Sequence, residues 1–155
     1  MKLYLVRHGD YLVDAVQGLD VLSEQGTNDI IQMTHFLKPL NISVSTILHS
    51  EKNRAQQTAA LLADGFVSQT PPLQHEGLRP DDDVSMIANE IIQMNDDVVL
   101  VGHLPFMGKL VSYLLTGSED KELVNFQTCT LVCLEQINRA TWTIKWMLSP
   151  EVMNS

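Results

Sequence analysis

The chain has 155 residues, 45% of them hydrophobic, which suits one globular domain with a substantial core and leaves no room for a second large one. Its 19 acidic residues outnumber its 10 lysines and arginines, and the formal net charge of -9 argues against non-specific binding to nucleic acid or to an anionic membrane. Without an apolar segment of membrane-spanning length or a signal-peptide pattern, we expect a cytoplasmic protein with a single domain over residues 1–155.

An unbroken apolar run near the start of the chain ends abruptly in polar residues. Residues 3–6 lack polar alternation, which is typical of a strand buried on both faces of a parallel sheet. Arg7, His8 and Gly9 follow at its carboxyl end. Because ligands bind in open α/β sheets at that end of the strands, we expect Arg7 and His8 to face a ligand. Gly9 would let the backbone turn sharply close to the ligand.

The next part of the chain supplies a second cation to the same edge. Residues 11–21 are predicted to form an irregular loop, and Ser23 to cap a helix that runs to about residue 38. A short strand over residues 44–48 then leads into another helix that ends near Gly65. Arg54 falls in the first turn of that helix, so it too should lie at the carboxyl edge of the sheet.

The middle of the chain supplies a second imidazole. Residues 71–75 are predicted to form a short third strand, and an acidic loop containing Glu76 follows it. The three aspartates at 81–83 favour the start of a helix. Residues 98–101 are a second aliphatic run, predicted to be a central parallel strand, and His103 comes just after its end.

The last part of the chain changes character. Pro105 suits the first turn of a further helix. Residues 128–135 and 141–148 then alternate in polarity and predict a hairpin at one edge of the sheet. The expected fold is an α/β protein, a three-layer α/β/α sandwich with a mostly parallel sheet and a C-terminal antiparallel edge hairpin.

Four side chains should therefore meet at one edge of the sheet, namely Arg7, His8, Arg54 and His103. The planar guanidinium group of arginine matches pairs of phosphate oxygens and stays charged. Each charge-assisted hydrogen bond contributes about 1.5–3 kcal/mol, so several together outweigh the repulsion from an acidic surface. The predicted topology thus indicates a site that handles phosphate.

A metal site is not expected. The five histidines show no pair with the close helical or Cys–His spacing that zinc requires, and arginines in the cluster would repel a cation. Cys129 and Cys133 lie four residues apart in a predicted strand, too close along one face to form a disulfide comfortably, so we expect free thiols. We expect no cofactor.

Three motifs carry a family resemblance. Residues 5–9, Leu-Val-Arg-His-Gly, resemble the defining motif of the histidine phosphatase (phosphoglycerate-mutase-like) superfamily. Residues 50–59 resemble its second motif and residues 102–103 its third, and the match spans nearly the whole chain. Asp10 after the first motif and residues 146–150 at the chain end are similar to the short bacterial phosphohistidine phosphatases of the SixA type. As in that group, the long helical insertion that covers the site of larger members is missing.

The resemblance implies a covalent mechanism. His8 would attack phosphorus in line, and water would then hydrolyse the resulting phosphohistidine. Arg7, Arg54 and His103 would stabilise the charge of the transition state. The implied phosphate-binding residues are Arg7, Gly9, Ser50, Arg54 and His103. We further expect the neighbouring cations to keep His8 unprotonated at neutral pH.

The acid that protonates the leaving group stays open between three carboxylates. Glu76 occupies the position nearest to the acid of many superfamily members. Asp82 or Asp83 are alternatives, although helix capping explains them without catalysis. A phosphohistidine substrate departs as imidazole, which reduces the need for a strong acid.

The leading functional hypothesis is a protein-phosphohistidine phosphatase that acts on a signalling protein such as a phosphotransfer domain and releases inorganic phosphate. A small-molecule phosphomonoesterase is the alternative within enzymes. A phosphate-reading binding module without turnover is the alternative outside them. Neither nucleic acid nor membrane is an expected partner, and a monomer is expected because no long apolar stripe is left unassigned.

Overall fold

Ten strands and five α-helices form in the computed structural model, which describes residues 1–154. The strands are β1 (Lys2–Arg7), β2 (Tyr11–Val13), β3 (Asp20–Leu22), β4 (Ser43–Val44), β5 (Thr46–His49), β6 (Val67–Ser68), β7 (Leu73–Gln74), β8 (Val98–Gly102), β9 (Leu131–Asn138) and β10 (Thr141–Leu148). The helices are α1 (Glu24–Leu37), α2 (Asn53–Leu62), α3 (Val84–Met94), α4 (Phe106–Thr116) and α5 (Pro150–Met153).

A six-stranded sheet lies at the centre, with the strand order β10-β9-β1-β8-β5-β7. Strands β1, β8, β5 and β7 run parallel to one another. Strand β9 is antiparallel to β1 and forms a hairpin with β10 at one edge. The predicted α/β sandwich, with its mostly parallel sheet and its C-terminal antiparallel hairpin, is confirmed.

The side chains of β1 alternate between the two halves of the core. Leu3 and Leu5 pack with apolar residues of α3 and α4 on one face of the sheet. Tyr4 and Val6 pack with residues of α1 and α2 on the other face. All four are at most 2% exposed, because helices cover both faces of this strand. This double burial explains why the strand contains no polar side chain between Lys2 and Arg7.

Two predicted helix starts are confirmed by their capping bonds. The Ser23 hydroxyl accepts a hydrogen bond from the Gly26 backbone N–H at 3.0 Å, and α1 begins at the next residue after Ser23. The Asp83 carboxylate accepts one from the Ser85 N–H at 2.9 Å at the start of α3. Helix α4 begins at Phe106, so Pro105 is its N-cap residue and lies just before the first turn, in which it was predicted.

The prediction of an irregular loop over residues 11–21 is wrong. Strands β2 and β3 pair there as a small antiparallel hairpin. Its turn is stabilised by the Asp14 carboxylate, which accepts hydrogen bonds from the N–H groups of Val16 and Gln17 at 2.7 and 2.9 Å. Each strand has only three residues, which is too short for a readable alternation of polar and apolar residues.

Two strand boundaries also differ from the prediction. The segment 44–48 is interrupted at Ser45, so that β4 and β5 belong to different sheets. Cys129 lies in a left-handed turn with φ of 61° before β9 begins, not within a strand. Its N–H donates to the carbonyl oxygens of both Arg7 and His8 at 3.1 Å, and these bonds replace the ladder bonds of a strand. Cys129 and Cys133 are free, as predicted, and both are buried.

None of the helices within residues 1–154 has the length and apolar character needed to cross a membrane.

Candidate active site

The register of three parallel strands brings the sequence motifs together. Arg7 at the end of β1 pairs with Gly102 at the end of β8, and His49 at the end of β5 pairs with Val101. The pairing of β1 with β8 continues past the strand ends, since the His8 N–H donates to the Gly102 carbonyl at 3.0 Å. The three motifs therefore meet at the carboxyl edge of the sheet, as predicted.

His8 is held in one tautomer. Its imidazole is 3% exposed, and its Nδ1 lies 2.8 Å from the Gly9 carbonyl oxygen. Because a carbonyl oxygen only accepts hydrogen bonds, Nδ1 carries the proton and Nε2 of the neutral ring holds a lone pair. The Arg54 Nε donates toward that lone pair at 3.4 Å.

The pKa of His8 is lowered to about 4. Burial is the largest cause, because removal of the imidazole from water disfavours its charged form. The positive charges of Arg54 and Arg7 lower the pKa further, and Asp20 acts in the opposite direction. The neighbouring cations therefore contribute as we predicted, but desolvation contributes more.

His103 is a second neutral imidazole, stacked at an angle against the first. The two ring centroids are 5.1 Å apart, and His103 is 1% exposed. Its Nε2 is hydrogen-bonded to the Ser50 hydroxyl at 2.5 Å. Burial, followed by the charges of His8 and Arg54, lowers the pKa of His103 to about 3.

Arg54 is fixed by two residues that the sequence prediction missed. The Asp20 carboxylate accepts hydrogen bonds from both the backbone N–H and the NH1 group of Arg54, each at 3.0 Å. The Arg54 guanidinium also lies over the Tyr11 ring, 4.5 Å from its centroid. Tyr11 in turn meets the His8 ring edge-on at 5.3 Å. Residues on both strands of the β2–β3 hairpin therefore hold this guanidinium.

Arg7 enters the site from the end of β1. Its NH1 donates to the Phe126 carbonyl at 2.8 Å. Its Nε is buried and has no hydrogen-bond partner within residues 1–154. Burial and the positive charge of Arg54 lower the pKa of the guanidinium, but arginine stays charged at any ordinary pH.

Gly9 connects the first two motifs. Its N–H donates to the Thr58 hydroxyl at 3.0 Å, and that hydroxyl donates to the Arg54 carbonyl at 2.7 Å. A Cβ at Gly9 would lie 2.7 Å from the Ile30 Cδ1, so tight packing explains the glycine at this position. Its N–H group is thus already paired within the protein.

Glu76 forms no hydrogen bond or ion pair with the other four predicted catalytic residues within residues 1–154. It is exposed in the loop after β7, and it lines a cavity of about 700 Å³. Glu51, Arg79, Asp82 and Asp83 also line this cavity, whereas His8 and His103 do not. The structure therefore brings Arg7, His8, Arg54 and His103 together, whereas Glu76 lines the cavity beside Glu51 and Arg79.

The two alternative carboxylates have structural partners. Asp83 caps α3, and Asp82 accepts a hydrogen bond from the Arg79 N–H at 2.8 Å. The side chain of Glu76 forms no hydrogen bond or ion pair within residues 1–154. In the same part of the chain, no group of three or more His, Cys, Asp or Glu side chains is arranged to hold a metal ion.

Comparisons with known proteins agree with this arrangement. A family model described as the histidine phosphatase superfamily (branch 1) matches residues 3–80. The comparison with curated proteins gave no match. The solved structure of the protein histidine phosphatase SixA complexed with tungstate has a TM-score of 0.87 and 24% identity, over 99% of each chain.

Two further structures have the same fold. One is the putative phosphohistidine phosphatase SixA from Agrobacterium tumefaciens, with a TM-score of 0.76 and 22% identity over 96% of this chain and 97% of that one. The other is a putative alpha-ribazole-5'-P phosphatase from Escherichia coli, with a TM-score of 0.76 and 18% identity over 97% and 98%. The matched family model covers half of the chain and includes the Arg7, His8 and Arg54 that meet at the sheet edge, so the chain belongs to the histidine phosphatase superfamily.

Proposed function

We propose that this phosphatase removes phosphate from phosphohistidine in a protein, with His8 as the nucleophile. The observation that carries the proposal is the fixed tautomer of His8. The bond from Nδ1 to the Gly9 carbonyl leaves the Nε2 lone pair in the pocket beside Arg54. With a pKa of about 4, this imidazole is neutral and nucleophilic at physiological pH.

The reaction proceeds in two displacements. In the first, His8 Nε2 forms a bond to phosphorus while the bond from phosphorus to the substrate imidazole breaks, and the departing nitrogen takes a proton. In the second, water attacks phosphorus and gives a proton to the carboxylate that acted as the acid, the bond from phosphorus to Nε2 breaks, inorganic phosphate leaves, and Nε2 regains its lone pair. Division of the transfer in this way replaces one difficult step with two easier ones.

The cationic groups stabilise the transferred phosphoryl group. Arg7 and Arg54 carry permanent charges, and the otherwise unpaired Nε of Arg7 would donate to a phosphoryl oxygen. His103 and Ser50 share a hydrogen bond and would reorganise together around a second oxygen. A single preorganised donor of this type accelerates the reaction about 10²–10³-fold.

Glu76 is our candidate for the proton donor to the leaving group. Its carboxylate forms no hydrogen bond or ion pair within residues 1–154, unlike those of Asp82 and Asp83. It follows β7, whose parallel pairing with β5 sets it on the same edge of the sheet as the histidines. An imidazole leaving group needs less help from an acid than an alkoxide does, so a phosphohistidine substrate makes a smaller demand on Glu76.

A protein substrate is favoured by the open surroundings of the pocket. Within residues 1–154 the α-helices are the five named above, and the chain contains no additional helical insertion. The residues next to the site, Tyr11 and Leu104, are 40% and 38% exposed. A phosphorylated side chain on another protein can reach such a pocket, whereas a small substrate would be held by few contacts outside its phosphate.

A small-molecule phosphomonoesterase is the second candidate. It is favoured by the likeness to the alpha-ribazole-5'-P phosphatase structure, since that protein is described as acting on a small phosphate ester. Both candidates use the same pocket and the same nucleophile. They differ in substrate preference alone.

The test is phosphate release from a histidine-phosphorylated phosphotransfer domain, with a sugar phosphate in parallel. We expect a higher kcat/KM for the phosphorylated domain than for the sugar phosphate. We expect the His8→Ala variant to release no phosphate from either. Exclusive hydrolysis of the sugar phosphate would support the second candidate. Turnover of neither would favour a binding module without catalysis.

A further inference from the structure

The β2–β3 hairpin carries exposed apolar side chains beside the pocket. We call this set the hairpin strip, and its members are Tyr11, Leu12, Val13, Val16 and Leu19. They are between 40% and 94% exposed. Within residues 1–154 the hairpin pairs with no other strand, so all three residues of β2 are exposed. Along β2 the side chains alternate between the two faces of the hairpin, so Tyr11 and Val13 share one face and Leu12 lies on the other. Exposed apolar side chains on both faces of a hairpin mark an interaction site in a folded protein.

The hairpin strip is continuous with the phosphate pocket. Tyr11 contacts both His8 and Arg54: its ring centroid lies 5.3 Å from that of His8 and 4.5 Å from the Arg54 Cζ. From Tyr11 the strip runs along β2 to Val13, at about 3.3 Å per residue, and continues to Val16 in the turn. A phosphorylated group bound at His8 would pass Tyr11, but only a macromolecular partner would extend far enough to cover Val16.

Charge restricts the class of partner. Residues 10–22 include three aspartates and no lysine or arginine, and since Asp20 is paired with Arg54, the carboxylates without an ion pair within residues 1–154 are those of Asp10 and Asp14. These carboxylates repel nucleic acid and anionic lipid, and the net charge of -9 adds to the repulsion. The complementary surface is that of a protein with apolar and basic side chains.

We infer that the hairpin strip is the docking surface for the phosphoprotein substrate, whose phosphorylated residue is flanked by apolar and basic side chains. The inference rests on the proposed function and adds how the substrate is recognised. Docking on the strip raises the affinity for a phosphoprotein without any change at the reacting atoms. Small phosphate esters do not reach the strip, so docking there does not raise their affinity.

The test compares two double variants of the full chain. Leu12→Thr with Val13→Thr removes apolar surface from the strip while β-branched residues keep the strand propensity. Leu40→Thr with Val67→Thr is the matched control, because these residues are 54% and 53% exposed against 52% and 62% for Leu12 and Val13. Val67 lies on β6, which pairs with β4 before the start of β5 and so at the opposite edge from the pocket.

Two substrates are used, a histidine-phosphorylated phosphotransfer domain and para-nitrophenyl phosphate. We expect kcat/KM for the phosphorylated domain to fall about tenfold in the hairpin variant and to stay unchanged in the control. Hydrolysis of para-nitrophenyl phosphate should be the same in wild type and both variants.

Other outcomes would overturn the inference. An equal loss on both substrates would mean that the hairpin only supports the pocket. No loss on either would reject docking while the proposed function stands, whereas a wild type inactive on the phosphorylated domain would reject both. Sedimentation of the wild type as a dimer and of the hairpin variant as a monomer would identify the strip as a contact between two copies of the chain.

Discussion

The two neutral imidazoles of the site should make the protein less stable in mild acid. His8 and His103 have pKa values of about 4 and about 3 in the folded chain. In the unfolded chain an ordinary imidazole has a pKa of about 6.5. Below that value the unfolded chain binds protons that the folded chain does not, so the free energy of unfolding falls as the pH falls.

The size of this effect follows from the two pKa values. Between about pH 7 and pH 5, protonation of one ordinary imidazole in the unfolded chain lowers the free energy of unfolding by about 2 kcal/mol. Both folded-state pKa values lie well below this window, so each histidine contributes nearly the full amount. His8→Asn should therefore make the loss of stability between the two pH values about 2 kcal/mol smaller than in wild type.

Urea unfolding followed by tryptophan fluorescence measures this difference, since Trp142 is buried in the core. The buffers should contain no phosphate, which would bind the folded site and raise its stability. His35→Asn removes an exposed imidazole from α1 and is the matched control. If the free energy of unfolding fell by the same amount between these two pH values in wild type and in His8→Asn, the argument that burial keeps this imidazole neutral would be refuted.

Two further substitutions test the groups around the nucleophile. Asp20→Asn should lower kcat/KM about tenfold, because Arg54 loses the carboxylate that orients it, whereas Asp64→Asn, which breaks the exposed pair with Lys38, should leave activity unchanged. Equal activity of the two variants would show that Asp20 has no part in positioning the guanidinium. Glu76→Gln should slow hydrolysis of an alkyl phosphate about 10²-fold and spare para-nitrophenyl phosphate, whose leaving group needs no acid. Unchanged alkyl phosphate hydrolysis would remove Glu76 from the mechanism.

Much of the sheet could be predicted from the sequence because burial dictates composition. Residues 3–6 and 98–101 are covered on both faces, so they must be continuously apolar, and the polar residues that follow them must lie at the sheet edge. The capping side chains of Ser23 and Asp83 likewise give local signals that do not depend on distant contacts.

The β2–β3 hairpin could not be predicted in the same way. Its strands are too short for periodicity, and its exposed apolar residues resemble neither a buried strand nor an amphipathic one. The role of Asp20 depends on a contact with Arg54, 34 residues away in the chain, that becomes visible only in three dimensions. The available signal was Asp14 followed by Gly18, which together favour a turn between two apolar segments.

The nature of the His8 environment also needed the structure. The sequence places cations near the imidazole, and they do lower its pKa, but the larger effect comes from burial beneath Tyr11 and His103. Burial of a polar side chain depends on the packing of several elements at once. No local pattern around residue 8 reports it.

The central claim is that His8 carries the phosphoryl group during the reaction. The most direct measurement is a single-turnover experiment, in which excess enzyme is mixed with a phosphotransfer domain labelled with radioactive phosphate on histidine and quenched in alkali at short times. Our account predicts that the label moves first to His8, identified by peptide mapping, and then to inorganic phosphate, with neither step in His8→Ala. Release of labelled phosphate by His8→Ala at the wild-type rate, with no label on residue 8 of the wild type, would contradict it.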